Sequence, residues 1–329
     1  MFTLPLDVML RAHERIRPYI RHTPLAPPPA LRSEFHPNLR LKLENLQVTG
    51  SFKARGVFNT LIGLGTERRE RGVVAASGGN HGIALAYAAQ VMQIPAVVYL
   101  PEEATADRVA RVERWGARVV RFGRSWDDAH AEATAFAAAE GMPYIHPFEA
   151  EPTIEGQSTL GLEILEDAPE TDCVLIAIGG GGLIGGSAAA LKALKPDVHI
   201  LGVEPVGAAS MTCSLEAKQV VALEEVRTIA DTLALRGVGE HVLSLTQQYV
   251  DSIALVPDGA MIEAMRWLWL EYNQLVEPSG AAVIAALQTG AIDLSAFEHP
   301  VAVICGGNAS AEAVFADYEA LARQKGSLE

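Results

Sequence analysis

Short apolar stretches alternate with longer amphipathic stretches along this chain. The apolar stretches, rich in Val, Ile and Leu, predict β-strands at 40–42, 73–76, 96–100, 118–122, 173–178, 199–203 and 301–305. The amphipathic stretches predict helices at 82–92, 106–115, 127–140, 183–194 and 259–272. This alternation is typical of parallel α/β sheets that are covered by helices.

The strands and helices fall into two clusters, one at about 73–144 and one from about 152 onward. We therefore predict an α/β fold with two open, mainly parallel, twisted-sheet lobes. In such folds ligands bind at the carboxyl ends of the strands. A ligand is accordingly expected in the cleft between the lobes.

Composition excludes several classes of protein. The 26 Lys and Arg residues against 40 Asp and Glu leave a net charge of −14, which disfavours nucleic acid and anionic membranes as partners. We see neither a signal peptide nor an apolar run long enough to span a bilayer. The three cysteines, Cys173, Cys213 and Cys305, are widely spaced, which argues against a disulfide framework and a zinc site. A cytoplasmic location follows as the default.

Lys53 is the first candidate for chemistry. It follows Gly50, Ser51 and Phe52, where a loop is expected to lead into a helix. In a partly apolar pocket the pKa of a lysine amine falls, and the amine can then form a Schiff base with a carbonyl. Most lysines are solvated surface charges, so Lys53 alone establishes nothing.

A first glycine-rich segment, 76–82, follows a predicted strand and opens a helix. Its glycines permit close approach of a ligand, and the amides of a helix N-terminus bind anions such as a carboxylate. Asn80 offers donors and an acceptor to a ligand. The alternative interpretation is an ordinary turn with Asn80 as the N-cap.

A second glycine-rich segment, 179–186, follows the strongest predicted strand. Four consecutive glycines can form a nest of backbone amides for a phosphate, aided by the helix dipole. The segment also satisfies the dinucleotide pattern through Gly180, Gly182 and Gly185, and Glu204 follows at about the required distance. A Rossmann NAD-dependent oxidoreductase is therefore a rival, although it leaves Lys53 and the 76–82 segment unexplained.

These segments resemble the serine/threonine dehydratase family, whose members are pyridoxal phosphate (PLP) enzymes of fold type II, the tryptophan-synthase-β-like fold. The resemblance covers most of the chain, at 44–47, 51–56, 77–82, 146–148, 156–157, 179–183, 202–205, 277–281 and 305–308. It implies that PLP lies in the cleft between the two lobes. It also implies a large PLP-binding domain of residues 1–68 and 150–329, a small inserted domain of residues 69–149, and no C-terminal regulatory domain.

The resemblance assigns cofactor-binding roles. Lys53 would hold PLP covalently and act as the base at Cα, and Phe52 would lie against the ring. Asn80 would bind the ring 3′-oxygen, Glu277 would lie near the ring, and Cys305 would face the pyridine nitrogen. Five consecutive backbone amides would hold the phosphate: Gly179, Gly180, Gly181, Gly182 and Leu183.

The resemblance also assigns a substrate site to Ser77, Gly78, Asn80 and His81. It implies an ammonia-lyase that converts a β-hydroxy-α-amino acid, with L-threonine and L-serine as default substrates, into a 2-oxo acid and ammonia. Alternatives are a specialist for phenylserine or 3-hydroxyaspartate and a PLP-binding protein without catalysis. Relatives that racemise serine carry a serine at the position of Gly78, so efficient racemisation is not expected.

The family further suggests a homodimer. Some relatives bind a divalent cation through the glutamate at the position of Glu204 and an aspartate further on, where this chain has Ser210. A single carboxylate is a weak site for a hard cation. Glu204 is thus a candidate ligand, but metal dependence is not predicted.

Overall fold

The computed structural model describes residues 2–27 and 35–309 of the chain. The strands are β1 (Leu25–Ala26), β2 (Arg40–Leu43), β3 (Val73–Ala76), β4 (Ala96–Leu100), β5 (Arg118–Arg121), β6 (Cys173–Ala177), β7 (His199–Pro205), β8 (Ser252–Val256) and β9 (Pro300–Ile304). The helices are α1 (Leu6–Ile16), α2 (Lys53–Gly63), α3 (Thr66–Arg71), α4 (Asn80–Val91), α5 (Ala106–Glu113), α6 (Trp126–Glu140), α7 (Glu151–Asp167), α8 (Gly182–Leu194), α9 (Ser210–Ala217), α10 (Glu240–Tyr249), α11 (Asp258–Tyr272) and α12 (Pro278–Gln288).

The larger sheet has the strand order β1-β2-β9-β6-β7-β8. All neighbouring strands of this sheet run parallel to each other, except that β1 is antiparallel to β2. In the register, Leu41 lies opposite Ala302, and Leu175 lies between Ala302 on one side and Leu201 on the other. The central strands β6 and β9 are buried along their whole length. A parallel strand covered by helices on both faces buries every side chain, and this explains the continuous apolar runs.

The smaller sheet consists of β3, β4 and β5, all parallel. One of its faces packs with α2 and α4 around Phe58, Leu85 and Val98. The other face packs with α6, which contributes Ala129 and Ala133. The predicted fold class, two mainly parallel α/β sheets, is therefore confirmed.

The strands predicted from apolar runs are all present, with ends shifted by two residues at most. The sequence analysis missed β1, which has only two residues, and β8, a half-exposed edge strand without a continuous apolar run.

The alternative that Asn80 is a helix N-cap is wrong, because Gly79 occupies that position and Asn80 is the first residue of α4.

Within the described ranges, no helix combines the length and the apolar character needed to cross a membrane. The cytoplasmic location stays a prediction. So does the division into domains at 1–68 with 150–329 and at 69–149; parts of the predicted large domain, 28–34 and 310–329, lie outside the described residues.

A group of buried charged side chains joins α2, α7 and β2. The Arg55 guanidinium donates to the two carboxylate oxygens of Glu44 at 2.7 and 2.8 Å and lies 2.9 Å from Glu163 Oε2. Lys42 Nζ lies 2.8 Å from both Glu163 Oε1 and Asp167 Oδ2. Burial by itself would raise the pKa of Glu163, but the neighbouring cations lower it to about 2. Because these buried charges are paired, the group holds α2 in one position against α7.

Candidate active site

The segment before α2 is joined directly to the end of β9. Ser51 forms a bridge with Gly306, and the Phe52 N–H donates to the Cys305 carbonyl at 3.2 Å. The loops that follow β3 and β6 reach the same place, because the strands of each parallel sheet end on one side. Lys53 therefore begins α2 beside the carboxyl ends of three strands.

A narrow cleft lies at this place. Its lining includes every residue that the sequence analysis assigned to the cofactor: Phe52, Lys53, Asn80, Gly179, Gly180, Gly181, Gly182, Leu183, Glu277 and Cys305. It also includes residues to which the sequence gave no cofactor role: Phe148, Ala177, Thr232, Leu233 and Leu235. We call this cleft the slot; its free volume is about 40 Å³, and it shares Lys53, Asn80 and Phe148 with a neighbouring cavity of about 290 Å³.

The glycine loop at the start of α8 has no space for side chains. A Cβ on Gly180 would lie 2.3 Å from the Phe148 ring, and one on Gly182 would lie 2.8 Å from the Phe148 carbonyl oxygen. Gly181 is the N-cap of α8 and has a φ of +86°, which favours glycine. The first amides of a helix lack intrahelical partners, so the loop presents N–H donors to an anion.

Lys53 has a defined hydrogen bond in the cleft. Its Nζ donates to the Pro147 carbonyl at 2.7 Å. The turn at Pro147 is held by His146, whose Nδ1 accepts the N–H groups of Phe148 at 3.3 Å and Glu149 at 3.0 Å. Burial lowers the pKa of Lys53 to about 8, despite the opposing effects of Cys305 and Glu277. About one tenth of the amine is thus neutral at pH 7, far more than for an ordinary lysine.

Cys305 lies at the end of β9 with its side chain lining the cleft. Its Sγ donates to the Ser279 carbonyl at 3.4 Å. Burial, reinforced by Glu277, raises the pKa of the Cys305 thiol. The group is therefore a neutral thiol, and it offers no negative charge to a ligand in the cleft.

Glu277 organises one wall of the cleft and is only 3% exposed. Its Oε1 accepts from Asn80 Nδ2 at 2.6 Å, Ser279 Oγ at 2.7 Å and Thr232 Oγ1 at 3.3 Å. Asn80 Oδ1 accepts from Asn308 Nδ2 at 2.7 Å. The sequence analysis gave no role to Ser279, Thr232 or Asn308. Ser279 and Asn308 lie inside segments that carried the family resemblance, whereas nothing in the sequence around Thr232 distinguishes it.

The four predicted substrate residues lie together with Lys53 along the adjacent cavity: Ser77, Gly78, Asn80 and His81. His81 Nε2 donates to the Ile145 carbonyl at 2.9 Å. Burial, followed by the charge of Lys53, lowers the pKa of His81 to about 3, so the imidazole is neutral. Since the Asn80 side chain is bonded to Glu277 and Asn308, the loop offers mainly its backbone amides to an anion.

Glu204 lies apart from both cavities. Its carboxylate accepts from the Met211 N–H at 2.8 Å, from the Thr212 N–H at 2.9 Å and from Thr212 Oγ1 at 2.6 Å. These bonds occupy Glu204 at the start of α9, and the nearby Ser210 supplies only a neutral hydroxyl. The arrangement does not fit a divalent cation, and the carboxylate is not free to bind a ribose as the dinucleotide interpretation requires.

Comparison with known proteins identifies the family. Residues 16–306 match the family described as pyridoxal-phosphate dependent enzyme, and the chain belongs to it. L-threonine ammonia-lyase of Thermotoga maritima is 35% identical over 93% of this chain and 76% of its own length. The crystal structure of a T.th. threonine deaminase has a TM-score of 0.86 at 38% identity, covering 93% of this chain and 99% of that one. Maize serine racemase has a TM-score of 0.90 at 31% identity, covering 98% and 100%.

The family confirms the predicted resemblance and the PLP cofactor, and the residues of the cleft fit that cofactor. The glycine loop, where a Cβ would clash with Phe148, is suited to the phosphate. The slot also brings the Phe52 ring, which can pack against the cofactor ring, together with Lys53, which supplies the amine. These features, together with the family, favour a PLP site over the alternative of a Rossmann NAD-dependent oxidoreductase.

The steric limit at Gly180 leads to a test. Gly180→Ala is expected to weaken PLP binding by at least about tenfold, because the added methyl group displaces Phe148 from the cleft. PLP titration of the apoprotein, followed by absorbance, measures the change. Gly185→Ala is the matched control, since its Cβ would meet Leu245 at an ordinary 3.4 Å. Equal PLP affinity in the two variants would contradict the assignment of the phosphate site, and thermal unfolding of both apoproteins reports on the fold.

The lowered pKa of Lys53 leads to a second test. Covalent capture of PLP requires the neutral amine, so its rate in the apoprotein is expected to rise with pH through a midpoint near 8. An ordinary lysine would give a midpoint of about 10.4. Stopped-flow absorbance measures the rate, and Lys53→Ala is expected to show no capture. A midpoint near that of free lysine would show that burial does not lower the pKa of Lys53.

Proposed function

We propose that this protein is a PLP-dependent ammonia-lyase that converts L-threonine and L-serine into a 2-oxo acid and ammonia. The observation that carries the proposal is the position of Lys53. Its amine lies where the phosphate cradle of 179–183 and the anion-binding loop of 77–81 meet. The names of similar proteins, L-threonine ammonia-lyase and threonine deaminase, support the same reaction.

In this proposal the slot binds the cofactor, and the wider cavity binds the substrate. The amides of 179–183 and the side chains of Phe52 and Cys305 would hold the cofactor in the slot. Bound PLP supplies an electron sink that makes the Cα–H of an amino acid acidic. The Ser77–His81 loop, at the N-terminus of α4, holds the substrate carboxylate through its amides. This places Cα of the substrate near Lys53.

Lys53 acts as the general base at Cα. Burial favours its neutral form, and the Pro147 carbonyl orients the amine when it is not bound to the cofactor. Neutral His81 adds no competing positive charge beside it. The hydrogen lost from Cα and the hydroxyl group lost from Cβ together make one water molecule. The released enamine then takes up one water molecule and yields the 2-oxo acid and ammonia.

The loop opposite Lys53 favours elimination over racemisation. Inversion at Cα needs a proton donor on the face opposite the base. Gly78 has no side chain, and a Cβ there would lie 2.3 Å from Leu100 Cδ2. Leu100 thus fills the space that a donor side chain at this position would occupy. Among the described residues at this point of the cavity, the contact is apolar.

We also infer that the protein forms a homodimer. The helix α11 and the residues around it expose large apolar side chains, among them Leu270 at 75% and Trp269 at 43%. Surfaces of this kind commonly become covered by a partner. Sedimentation equilibrium is expected to give twice the chain mass of 35.1 kDa, and Leu270→Glu is expected to shift the protein toward monomer. A monomer in the unmodified protein at micromolar concentration would overturn this inference.

Turnover tests the proposed activity. The PLP-loaded protein is expected to release 2-oxobutyrate from L-threonine and pyruvate from L-serine, measured in a coupled dehydrogenase assay. Lys53→Ala is expected to reduce the rate by at least about 1,000-fold, because it removes both the cofactor linkage and the base. Formation of D-serine is expected at about 1% of elimination or less.

Two outcomes would contradict the proposal. No 2-oxo acid from either amino acid, in protein that retains the cofactor absorbance, would reject the ammonia-lyase activity. D-serine formation at a rate comparable to elimination would show that a proton reaches Cα from the side of Gly78. Phe122→Ala, an exposed aromatic residue outside both cavities, serves as the control for unspecific effects.

A further inference from the structure

The cavity next to Lys53 is larger than the side chain of serine or threonine requires. Its free volume of about 290 Å³ is many times the roughly 10–15 Å³ that one water molecule needs in a cavity. The side chains of serine and threonine add at most two heavy atoms beyond Cβ, so they leave much of this space unfilled. The chemistry of the remaining wall therefore decides which substituent at Cβ binds best.

The remaining wall is mainly apolar. Its apolar side chains come from β4 and the residues after it, from the start of α6, from the turn before α7 and from the 218–239 segment, and they include Leu100, Trp126, Phe148 and Leu235. Clefts lined in this way bind ligands by covering apolar surface, with a few polar groups fixing the orientation. Here the Ser77–His81 loop and Lys53 supply polar groups that fix the orientation.

Trp126 is the largest side chain in this wall, and it is fixed in place. Its Nε1 donates to the Ala76 carbonyl at 2.9 Å, at the end of β3. One ring face stacks on His130 at 4.8 Å with an interplanar angle of 11°, and His130 is bonded to the Tyr144 hydroxyl at 2.7 Å. An indole held at two points loses little freedom when a ligand packs against it.

The charged groups of the wall do not favour a negatively charged substituent. Arg108 is paired with Asp231 across the opening of the cavity, and Glu103 adds a second carboxylate to the lining. In the proposed reaction the Lys53 amine acts on the cofactor and on Cα, so it does not pair with a substituent at Cβ. Among the described residues of the lining, no other lysine or arginine is present, and neutral His81 adds no charge.

We propose that the cavity accepts β-hydroxy amino acids whose Cβ carries an uncharged apolar substituent larger than methyl, packed against Trp126, and that it disfavours a second carboxylate. This inference rests on the proposed function, because it places the substrate amino group at the Lys53 end of the cavity. It deepens that function by naming the substrate class. Serine and threonine are then the smallest members of the accepted series.

Binding of amino acids without a β-hydroxyl group tests the inference independently of turnover. L-alanine, L-2-aminobutyrate, L-norvaline, L-leucine and L-aspartate cannot undergo elimination, so their complexes with the PLP-loaded protein persist. The Kd, measured from the change in cofactor absorbance, is expected to fall about threefold for each added methylene group up to leucine. L-aspartate is expected to bind at least about tenfold more weakly than L-2-aminobutyrate. A Kd that stays constant or rises with side-chain length, or tighter binding of aspartate, would overturn the inference.

Variants of Trp126 test its part in the wall. Trp126→Ala is expected to weaken leucine binding by about tenfold or more and to leave alanine within about twofold. Trp126→Phe keeps an apolar ring and is expected to retain most of the leucine affinity, which keeps the test valid if Trp126→Ala folds poorly. Phe122→Ala, outside the cavity, is the control. An unchanged preference for leucine in both Trp126 variants would show that this residue is not the contact surface.

Turnover separates failure of this inference from failure of the proposed function. L-threo-3-hydroxyleucine is expected to be processed with a kcat/KM no more than about tenfold below that of L-threonine, and L-threo-3-hydroxyaspartate at least about 100-fold below it. Turnover of threonine and serine together with the opposite order for the two larger substrates would overturn the inference alone. No turnover of any hydroxylated amino acid would reject the proposed function, and the binding series would still decide the inference.

Discussion

The position of Lys53 depends on the buried ion pairs that Arg55 forms two residues further along α2. Arg55 bonds Glu44 before the helix and Glu163 on α7, and all three side chains are buried. Burying charges is unfavourable unless each has a partner, and removing one partner commonly costs about 3–5 kcal/mol. The first turn of α2 therefore has one stable position. The hydrogen bond from Phe52 to Cys305 then fixes Lys53 against the end of β9.

The same fixed position serves two different cavities. On one side, Lys53 faces the slot formed by the glycine loop, whose shape excludes any Cβ. On the other side, it faces the wider cavity with the Ser77–His81 loop and the apolar wall that contains Trp126. Burial in this arrangement lowers the pKa of Lys53, which suits the proposed role of this amine as the group that binds a carbonyl and then accepts a proton. The same packing around Lys53 thus determines both its position and its lowered pKa.

The polar groups around the slot are neutral or internally bonded. Cys305 is a neutral thiol, His81 is a neutral imidazole, and the Glu277 carboxylate accepts from Asn80 rather than facing the cleft alone. Such an environment places no carboxylate directly against the pyridine nitrogen position predicted for Cys305. A weak electron sink favours prompt loss of the β-substituent over longer-lived carbanion chemistry. This agrees with the proposed elimination.

The sequence by itself indicated seven of the nine described strands, the two mainly parallel sheets, and Lys53, both glycine-rich loops and Cys305 as candidate site residues, because periodicity, glycine clusters and family motifs are local patterns. Tertiary structure decided which distant side chains meet. Thr232 has no local signal, and its bond to Glu277 arises only when a loop crosses the cleft. Likewise, the sequence left Glu204 as a candidate for a metal or ribose ligand, but in the fold its oxygens accept hydrogen bonds from the start of α9. Trp126 joins the substrate cavity because β3 and α6 lie side by side, which no sequence period encodes.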